Sequence, residues 1–203
     1  MKTCYIVGAG EFCGILSPEP CDLVIAADGG YDTLMRLNIP CQLVIGDMDS
    51  SLSLPRDVET VKFPAEKDET DSYLAYIEGV RRGYCNFVLY GGVGGREDHT
   101  FANYSLLLYG IRRGHRIKLI GKDRDIFVIK NESVSLRGNA GTGLSVFAFS
   151  TTAHGVSING AKYEANKIDL SPEFPLGVSN EFRENEVTVS VDDGELLIMV
   201  ERR

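Results

Sequence analysis

The first 122 residues alternate short apolar segments with helical patterns, and this alternation limits the chain to few folds. The segments predicted to be strands are Cys4–Val7, Asp22–Ala27, Gln42–Ile45, Glu59–Phe63, Asn86–Tyr90 and Arg116–Ile120. Helices are predicted between them at Tyr31–Leu37, Asp71–Arg82 and Asp98–Arg113. Several of the strands are apolar almost throughout, which is typical of parallel sheets covered on both faces. The pattern therefore predicts an α/β domain with a mainly parallel open sheet over residues 1–122.

The pattern changes after residue 122, because short strands then follow one another without a helical stripe between them. The predicted strands are Ile126–Lys130, Ser133–Arg137, Leu144–Ser150, Val156–Asn159, Val187–Val191 and Glu195–Glu201. Turns rich in Gly, Asn and Asp separate them, such as the turn at residues 138–141. Residues 123–203 are therefore predicted to form a small all-β domain, an antiparallel sandwich or barrel.

Charge and cysteine content narrow the classes of partner and compartment. The 203 residues include 21 Lys and Arg against 29 Asp and Glu, a net charge of −8. This balance argues against nucleic acid or an anionic membrane as the main partner. No apolar run has the length of a membrane span, and the first ten residues are too short for the apolar segment of a signal peptide. The 5 cysteines lack C-x-x-C spacing, so we expect reduced thiols and a cytoplasmic protein.

Aspartates follow the ends of predicted strands or lie at the start of a predicted helix. They are Asp28, Asp47, Asp49, Asp68, Asp71 and Asp98. The carboxyl ends of parallel strands line the ligand crevice of an open sheet, so these carboxylates are predicted to converge. Their mutual repulsion would force some to take up protons unless a cation neutralised them. Carboxylates without His or Cys favour Mg²⁺ that also holds substrate phosphates.

Some of these aspartates also have a purely structural explanation. Asp68 could cap a helix with Asp71 in its first turn, and Asp28-Gly29 could be an ordinary turn. The functional interpretation rests on the shared position of all of them at one edge of the predicted sheet.

The glycine run Gly91–Gly95 lies between a predicted buried strand and a helix. Such a loop is either a flexible connection or a backbone surface on which N–H groups bind phosphate, aided by the helix N-terminus. Arg96 would add a fork of donors for phosphate oxygens. The two common nucleotide motifs are absent: Gly121-Lys122 is not followed by Ser or Thr, and Gly8-x-Gly10 lacks the third glycine.

Several segments together resemble the thiamine pyrophosphokinase family, whose members transfer a pyrophosphoryl group from ATP to thiamine. The segments are Asp28-Gly29-Gly30, Gly46–Ser50, Pro64–Asp71, Gly91–His99 with Asn103 beyond it, Lys162-Tyr163 and Gly177–Phe182. They occur in the family's order over nearly the whole chain, and their combination is much more specific than any one of them. One departure is Glu164-Ala165, where the family pattern continues with more apolar residues.

The resemblance implies an N-terminal α/β domain that binds ATP and Mg²⁺, a C-terminal β domain that binds thiamine, and a homodimer with thiamine between the subunits. It implies that Asp47, Asp49 and Asp71 bind Mg²⁺. Residues implied on the nucleotide side are Asp28, Gly29, Lys67, Asp68, Gly92, Gly94, Gly95 and Arg96. Those implied on the thiamine side are Ser179, Asn180 and Tyr163, whose ring could stack on thiamine or instead cover the core of the β domain.

In the implied reaction, the thiamine hydroxyl attacks the β-phosphorus of ATP and AMP leaves. Asp98 is the first candidate to accept or orient the hydroxyl proton, and Asp71 is the second. Loss of Asp98 is then predicted to reduce turnover far more than nucleotide affinity. The alternatives are another Mg²⁺-dependent phosphate-transfer enzyme or phosphohydrolase, and a non-catalytic sensor of thiamine or a nucleotide.

Overall fold

The computed structural model describes residues 2–46, 58–63 and 68–202, and the chain divides into two compact units, Met1–Lys122 and Asp123–Arg203. The first unit contains β1 (Cys4–Val7), β2 (Leu23–Ala27), α1 (Gly30–Arg36), β3 (Leu43–Gly46), β4 (Glu59–Lys62), α2 (Asp71–Arg81), β5 (Asn86–Tyr90), α3 (Glu97–Ile111) and β6 (Arg116–Ile120). The second unit contains β7 (Arg124–Lys130), β8 (Ser133–Arg137), β9 (Gly143–Ala148), β10 (Ala153–Asn159), β11 (Ala165–Leu170), β12 (Asn180–Glu181), β13 (Glu186–Ser190) and β14 (Glu195–Glu201).

The strands of the first unit lie in the order β6-β5-β1-β2-β3-β4, and every neighbouring pair is parallel. The chain moves outward from β1 to β4 and then returns to place β5 on the other side of β1. Because the connections that follow β1 and β5 leave in opposite directions, a crevice opens between them at the carboxyl edge of the sheet. The predicted mixed α/β organisation of this unit is confirmed.

Helices cover both faces of this sheet. On one face, Tyr31 and Leu34 of α1 join a buried cluster with Val7, Val24 and Val44. On the other face, α2 approaches so closely that a Cβ on Gly79 would lie 2.6 Å from the Phe87 ring and 2.9 Å from the Cys4 sulfur. This double covering explains why β2 is buried at every position.

The second unit consists of two antiparallel sheets, β12-β9-β14-β7 and β11-β10-β13-β8. One buried cluster contains side chains from both sheets, including Val146, Val156, Val189 and Ile198. Every regular element described between residues 123 and 202 is a strand. The prediction of a mixed α/β domain and a second, antiparallel β domain is therefore confirmed, although β11 and β12 were not predicted.

The cysteines form no disulfide, and all of them lie within the described residues. Cys21 and Cys85 are exposed, whereas Cys4 is buried on β1. Desolvation by burial raises the pKa of the Cys4 thiol to about 12. None of the helices that the structure describes is long and apolar enough to cross a membrane.

Candidate active site

A cleft of about 310 Å³ lies at the carboxyl edge of the parallel sheet. The loops after β1, β2 and β5 line it together with the starts of α2 and α3. The lining residues are 8–10, 27–28, 70–72, 91–93, Gly95, Arg96, His99 and Asn103. The cleft is therefore at the point where the strand order reverses, which is where open α/β sheets bind ligands.

The loops after β1 and β5 pack directly on each other through backbone atoms. The Gly8 N–H donates to the Tyr90 carbonyl over 2.8 Å, and the Gly10 N–H donates to the Gly91 carbonyl over 3.0 Å. A Cβ on Gly10 would lie 2.5 Å from the Gly91 oxygen, so a larger residue would push the loops apart. As a sequence motif, Gly8-x-Gly10 is only an incomplete dinucleotide fingerprint, and that pattern does not predict its place in the cleft. The available signal was a pair of glycines directly after a buried strand.

The side chain of Asn103 on α3 supports the glycine loop after β5. The buried Asn103 amide donates to the Gly92 carbonyl over 2.8 Å. Gly92 and Gly95 line the cleft, whereas Gly94 does not. Arg96 is the N-cap residue of α3, so the N-terminus of a 15-residue helix borders the cleft and favours an anionic group there.

Of the aspartates in the described part of the chain, Asp28 and Asp71 line the cleft. Asp28 has a φ of +50°, and its N–H donates to the Ile45 carbonyl over 2.7 Å. Its Oδ1 atom is buried and has no hydrogen-bond partner among the described residues. Asp71 is the first residue of α2, whose N-cap is the Thr70 hydroxyl, accepting from the Tyr73 N–H over 3.2 Å. Desolvating a carboxylate oxygen without a partner is costly, and oxygen donors of this kind suit Mg²⁺.

Other described residues predicted for the nucleotide and metal site are not among those that line the cleft. Asp68 is exposed and does not line the cleft, and the suggestion that it caps α2 is wrong because Thr70 does so. A Cβ on Gly29 would lie 3.2 Å from the Ala9 Cβ, so Gly29 lets the loop after β2 approach the loop after β1.

Asp47, Asp49 and Lys67 lie outside the described residues. Within the part of the chain that the structure does describe, no group of three or more His, Cys, Asp or Glu side chains could hold a metal ion.

Arg96 lines the cleft, but Asp98 does not. Instead, the Asp98 carboxylate accepts two hydrogen bonds from the Arg96 guanidinium, over 3.1 Å from Nε and 2.6 Å from Nη2. The hydrogen bonds from Arg96 hold the pKa of Asp98 below its ordinary value, with a further contribution from the His99 N–H. His99 lines the cleft as well, and sequence reasoning did not select it.

Comparison with known proteins matches both units to domains of one protein family. The family described as "Thiamin pyrophosphokinase, catalytic domain" matches residues 18–119, and "Thiamin pyrophosphokinase, vitamin B1 binding domain" matches residues 129–196. The chain belongs to the thiamin pyrophosphokinase family. A thiamine pyrophosphokinase of Bacillus subtilis (strain 168) is 29% identical over 213 residues, which is 98% of each chain. Membership of this family indicates an enzyme that makes thiamine diphosphate.

Solved structures of thiamin pyrophosphokinases share the fold over nearly the full length. The Bacillus subtilis structure has a TM-score of 0.89 at 26% identity and covers 98% of each chain. The Geobacillus thermodenitrificans structure has a TM-score of 0.85 at 25% identity, over 99% of this chain and 98% of the other. The Candida albicans structure, at 14% identity, bears on the fold alone, with a TM-score of 0.74 over 98% of this chain and 89% of the other.

The segments predicted to contact thiamine form a connected group in the second unit. The Tyr163 N–H donates to the Asn180 Oδ1 over 3.0 Å, and the Asn180 amide donates to the Tyr163 carbonyl over 2.8 Å. Ser179 has a φ of +59°, and its N–H donates to the Ser145 hydroxyl over 3.3 Å. Tyr163 is 63% exposed, so the alternative that its ring covers the core is wrong.

The departure from the family pattern at Glu164 has a structural explanation. The Glu164 carboxylate accepts from the Gly160 N–H over 2.9 Å and from the Arg183 guanidinium over 2.8 Å. Glu164 therefore fixes the loop that carries Tyr163 by polar contacts, where more apolar residues were expected.

Proposed function

We propose that this thiamin pyrophosphokinase family member transfers the pyrophosphoryl group of ATP to the hydroxyl of thiamine in a Mg²⁺-dependent reaction, giving thiamine diphosphate and AMP. The observation that carries the proposal is the match of both units to the two domains of the family. The cleft at the sheet edge supports it, since two glycine loops, a guanidinium and carboxylates line it together.

The triphosphate of ATP would bind along the glycine loop that ends at Arg96, where N–H groups and the guanidinium can bind its oxygens. Asp47, Asp49 and Asp71 are the proposed Mg²⁺ ligands, with Lys67 beside the phosphates. The buried Asp28 Oδ1, which lacks a partner among the described residues, supports a cation or donor at this edge. Mg²⁺ held by these aspartates would offset the negative charge of the phosphates.

The transfer forms a bond between the thiamine hydroxyl oxygen and the β-phosphorus. The bond from the β-phosphorus to the oxygen bridging to the α-phosphorus breaks, and AMP leaves with that oxygen. The chain's main contribution is to place the hydroxyl in line with the leaving oxygen and to neutralise charge. Of the two carboxylates predicted to accept or orient the hydroxyl proton, Asp71 is the one that lines the cleft, so we propose that Asp71 orients the hydroxyl.

The remaining features of the proposal concern thiamine, assembly and compartment. Tyr163, Ser179 and Asn180 would contact thiamine, which we place between the subunits of a homodimer. An exposed apolar segment, Phe174–Val178, supports such an interface because Phe174, Leu176 and Val178 are 67%, 57% and 47% exposed. The absence of disulfides among the described cysteines supports a cytoplasmic protein.

The test incubates the protein with ATP, MgCl₂ and thiamine and identifies the products by mass spectrometry. Thiamine diphosphate with an equal amount of AMP supports the proposal. ADP with thiamine monophosphate would indicate ordinary kinase chemistry, and nucleotide hydrolysis without a thiamine product would indicate a phosphohydrolase. Tight binding without turnover would indicate a sensor.

A further inference from the structure

We propose that Asp98 is a positioning residue, whose carboxylate holds the Arg96 guanidinium at the edge of the cleft in the orientation that binds the phosphates of ATP. This inference rests on the proposed function for the identity of the ligand. It gives Asp98 a role that acts through Arg96 and not through the hydroxyl proton.

The contact between the two side chains fixes the orientation of the Arg96 guanidinium plane as well as its distance from the Asp98 carboxylate. Arg96 Nε and Nη2 each donate to a different oxygen of Asp98, over 3.1 Å and 2.6 Å. Two parallel hydrogen bonds set the orientation of the planar guanidinium, which a single bond would not do. A guanidinium has five N–H donors, so three stay available for phosphate oxygens.

Arg96 needs such a partner because little else restrains it. Its side chain is 72% exposed, although the residue lines the cleft. A long exposed side chain loses considerable rotamer entropy when a ligand immobilises it. An arginine already held in place loses less of this entropy on binding, so the contact with Asp98 favours ATP affinity.

The surroundings of Asp98 do not suit a proton acceptor. Asp98 does not line the cleft, and its Oδ1 also accepts from the His99 N–H over 2.9 Å. Both oxygens are therefore engaged by donors. Because these hydrogen bonds hold the pKa of Asp98 below its ordinary value, the carboxylate is a weaker base than an isolated aspartate.

A simpler role for Asp98 is to stabilise the N-terminus of α3, since acidic residues in the first turn interact favourably with the helix dipole. Glu97 lies in the same turn with the same charge. Glu97→Gln is therefore a matched control, because it removes a first-turn charge and leaves Arg96 and Asp98 in place.

The experiment compares Arg96→Ala, Asp98→Ala, Asp98→Asn, Glu97→Gln and the Arg96/Asp98 double alanine variant in the full chain. ATP binding is measured by calorimetry with MgCl₂ present, and kcat, KM for ATP and the pH profile of kcat are measured where turnover occurs. We expect Asp98→Ala to weaken ATP binding by about fivefold, the size of one well-placed charged contact. In the Arg96→Ala background, the same change should alter affinity and kcat by less than about twofold, because coupled residues are not additive.

Asp98→Asn should restore most of the affinity and turnover, because an amide oxygen still accepts from the guanidinium. Glu97→Gln should leave ATP binding unchanged, and the acid limb of the pH profile should persist in Asp98→Asn. The inference is overturned if Asp98→Asn and Asp98→Ala both lower kcat by about 10²–10⁴-fold in either background, as loss of a general base would. It is also overturned if Glu97→Gln weakens ATP binding as much as Asp98→Ala.

The binding measurements separate this inference from the proposed function. They require only that the protein binds ATP and do not depend on the product. A wild-type protein that makes no thiamine diphosphate contradicts the proposed function, whereas additive ATP affinities in the Arg96 and Asp98 variants contradict the positioning role.

Discussion

Asp28 is the residue at which the requirements of folding and function most clearly conflict. A φ of +50° is uncommon for a residue other than glycine, and its buried Oδ1 has no hydrogen-bond partner among the described residues. Both features cost free energy in the folded state. A position that keeps them at the carboxyl edge of the sheet is better explained by ligand binding than by stability.

We expect Asp28→Asn to lower turnover by about 10²-fold or more, because the anionic oxygen that we propose faces a cation or donor at the sheet edge is lost. Without MgCl₂, the thermal midpoint of the variant should be no lower than that of the wild type, since the desolvated charge is removed. Asp32→Asn is the control, because Asp32 lies in the first turn of α1 but does not line the cleft. Unchanged turnover in Asp28→Asn, measured by AMP release, would contradict the assignment.

Cys4 makes stability depend on pH in a direction that can be worked out. Burial raises the pKa of its thiol from 9.0 to about 12, so the folded state keeps the proton at pH values where the unfolded state loses it. This contribution is fully present below pH 9 and is lost as the pH rises toward 12, with a limiting slope of about 1.4 kcal/mol per pH unit. Urea denaturation from pH 8 to 10.5 should therefore show a shallower decline in Cys4→Ala than in the wild type. Parallel declines in the two proteins would contradict this account.

Among the elements, the contact between the loops after β1 and β5 is the one that shapes the cleft. A Cβ on Gly10 would lie 2.5 Å from the Gly91 oxygen, and a backbone clash cannot be relieved by rotating a side chain. We expect Gly10→Ala to lower the free energy of unfolding by about 1–3 kcal/mol and to weaken ATP binding. At Gly95 no atom lies within 4 Å of an added Cβ, so Gly95→Ala should change stability by less than about 0.5 kcal/mol. Equal losses of stability in the two variants, measured by chemical denaturation, would contradict this explanation.

The sequence predicts where the strands lie better than how they are arranged. All six strands and three helices expected before residue 123 are present, because apolar runs separated by helical patterns are a local signal. That β5 lies beside β1 is a non-local property, decided by packing across the sheet. Because the sequence does not show that β5 lies beside β1, it predicts that Asp28, Asp71 and Arg96 lie near one edge of the sheet. It does not predict that the loop after β1 lies there too.

The two strands that were not predicted lack the local signal. Half of the residues of β11 are polar, and its pairing with β10 shifts register between Ala153 and Val156 and again before Ile158. Such shifts break the alternation of apolar and polar residues that marks a half-buried strand. β12 has two residues, so it is too short to give any pattern.

At the scale of the whole molecule, the two units carry different parts of the proposed reaction. The first unit has the cleft with its glycine loops, Asp28, Asp71 and Arg96. The second unit has the connected residues Tyr163 and Asn180 and the exposed apolar segment Phe174–Val178. If thiamine binds between subunits, a change in the apolar segment should affect thiamine and ATP differently.

We expect Leu176→Glu to convert the proposed dimer to a monomer in light scattering, because a charge at a 57% exposed apolar side chain opposes burial in an interface but not folding. The KM for thiamine should then rise by about tenfold or more, whereas ATP affinity should stay within about twofold of the wild type. Ile15→Glu, which changes an 85% exposed side chain of the first unit, is the control and should leave the dimer intact. A Leu176→Glu protein that stays dimeric, or that loses ATP and thiamine affinity equally, would show that this segment is not the interface that completes the thiamine site.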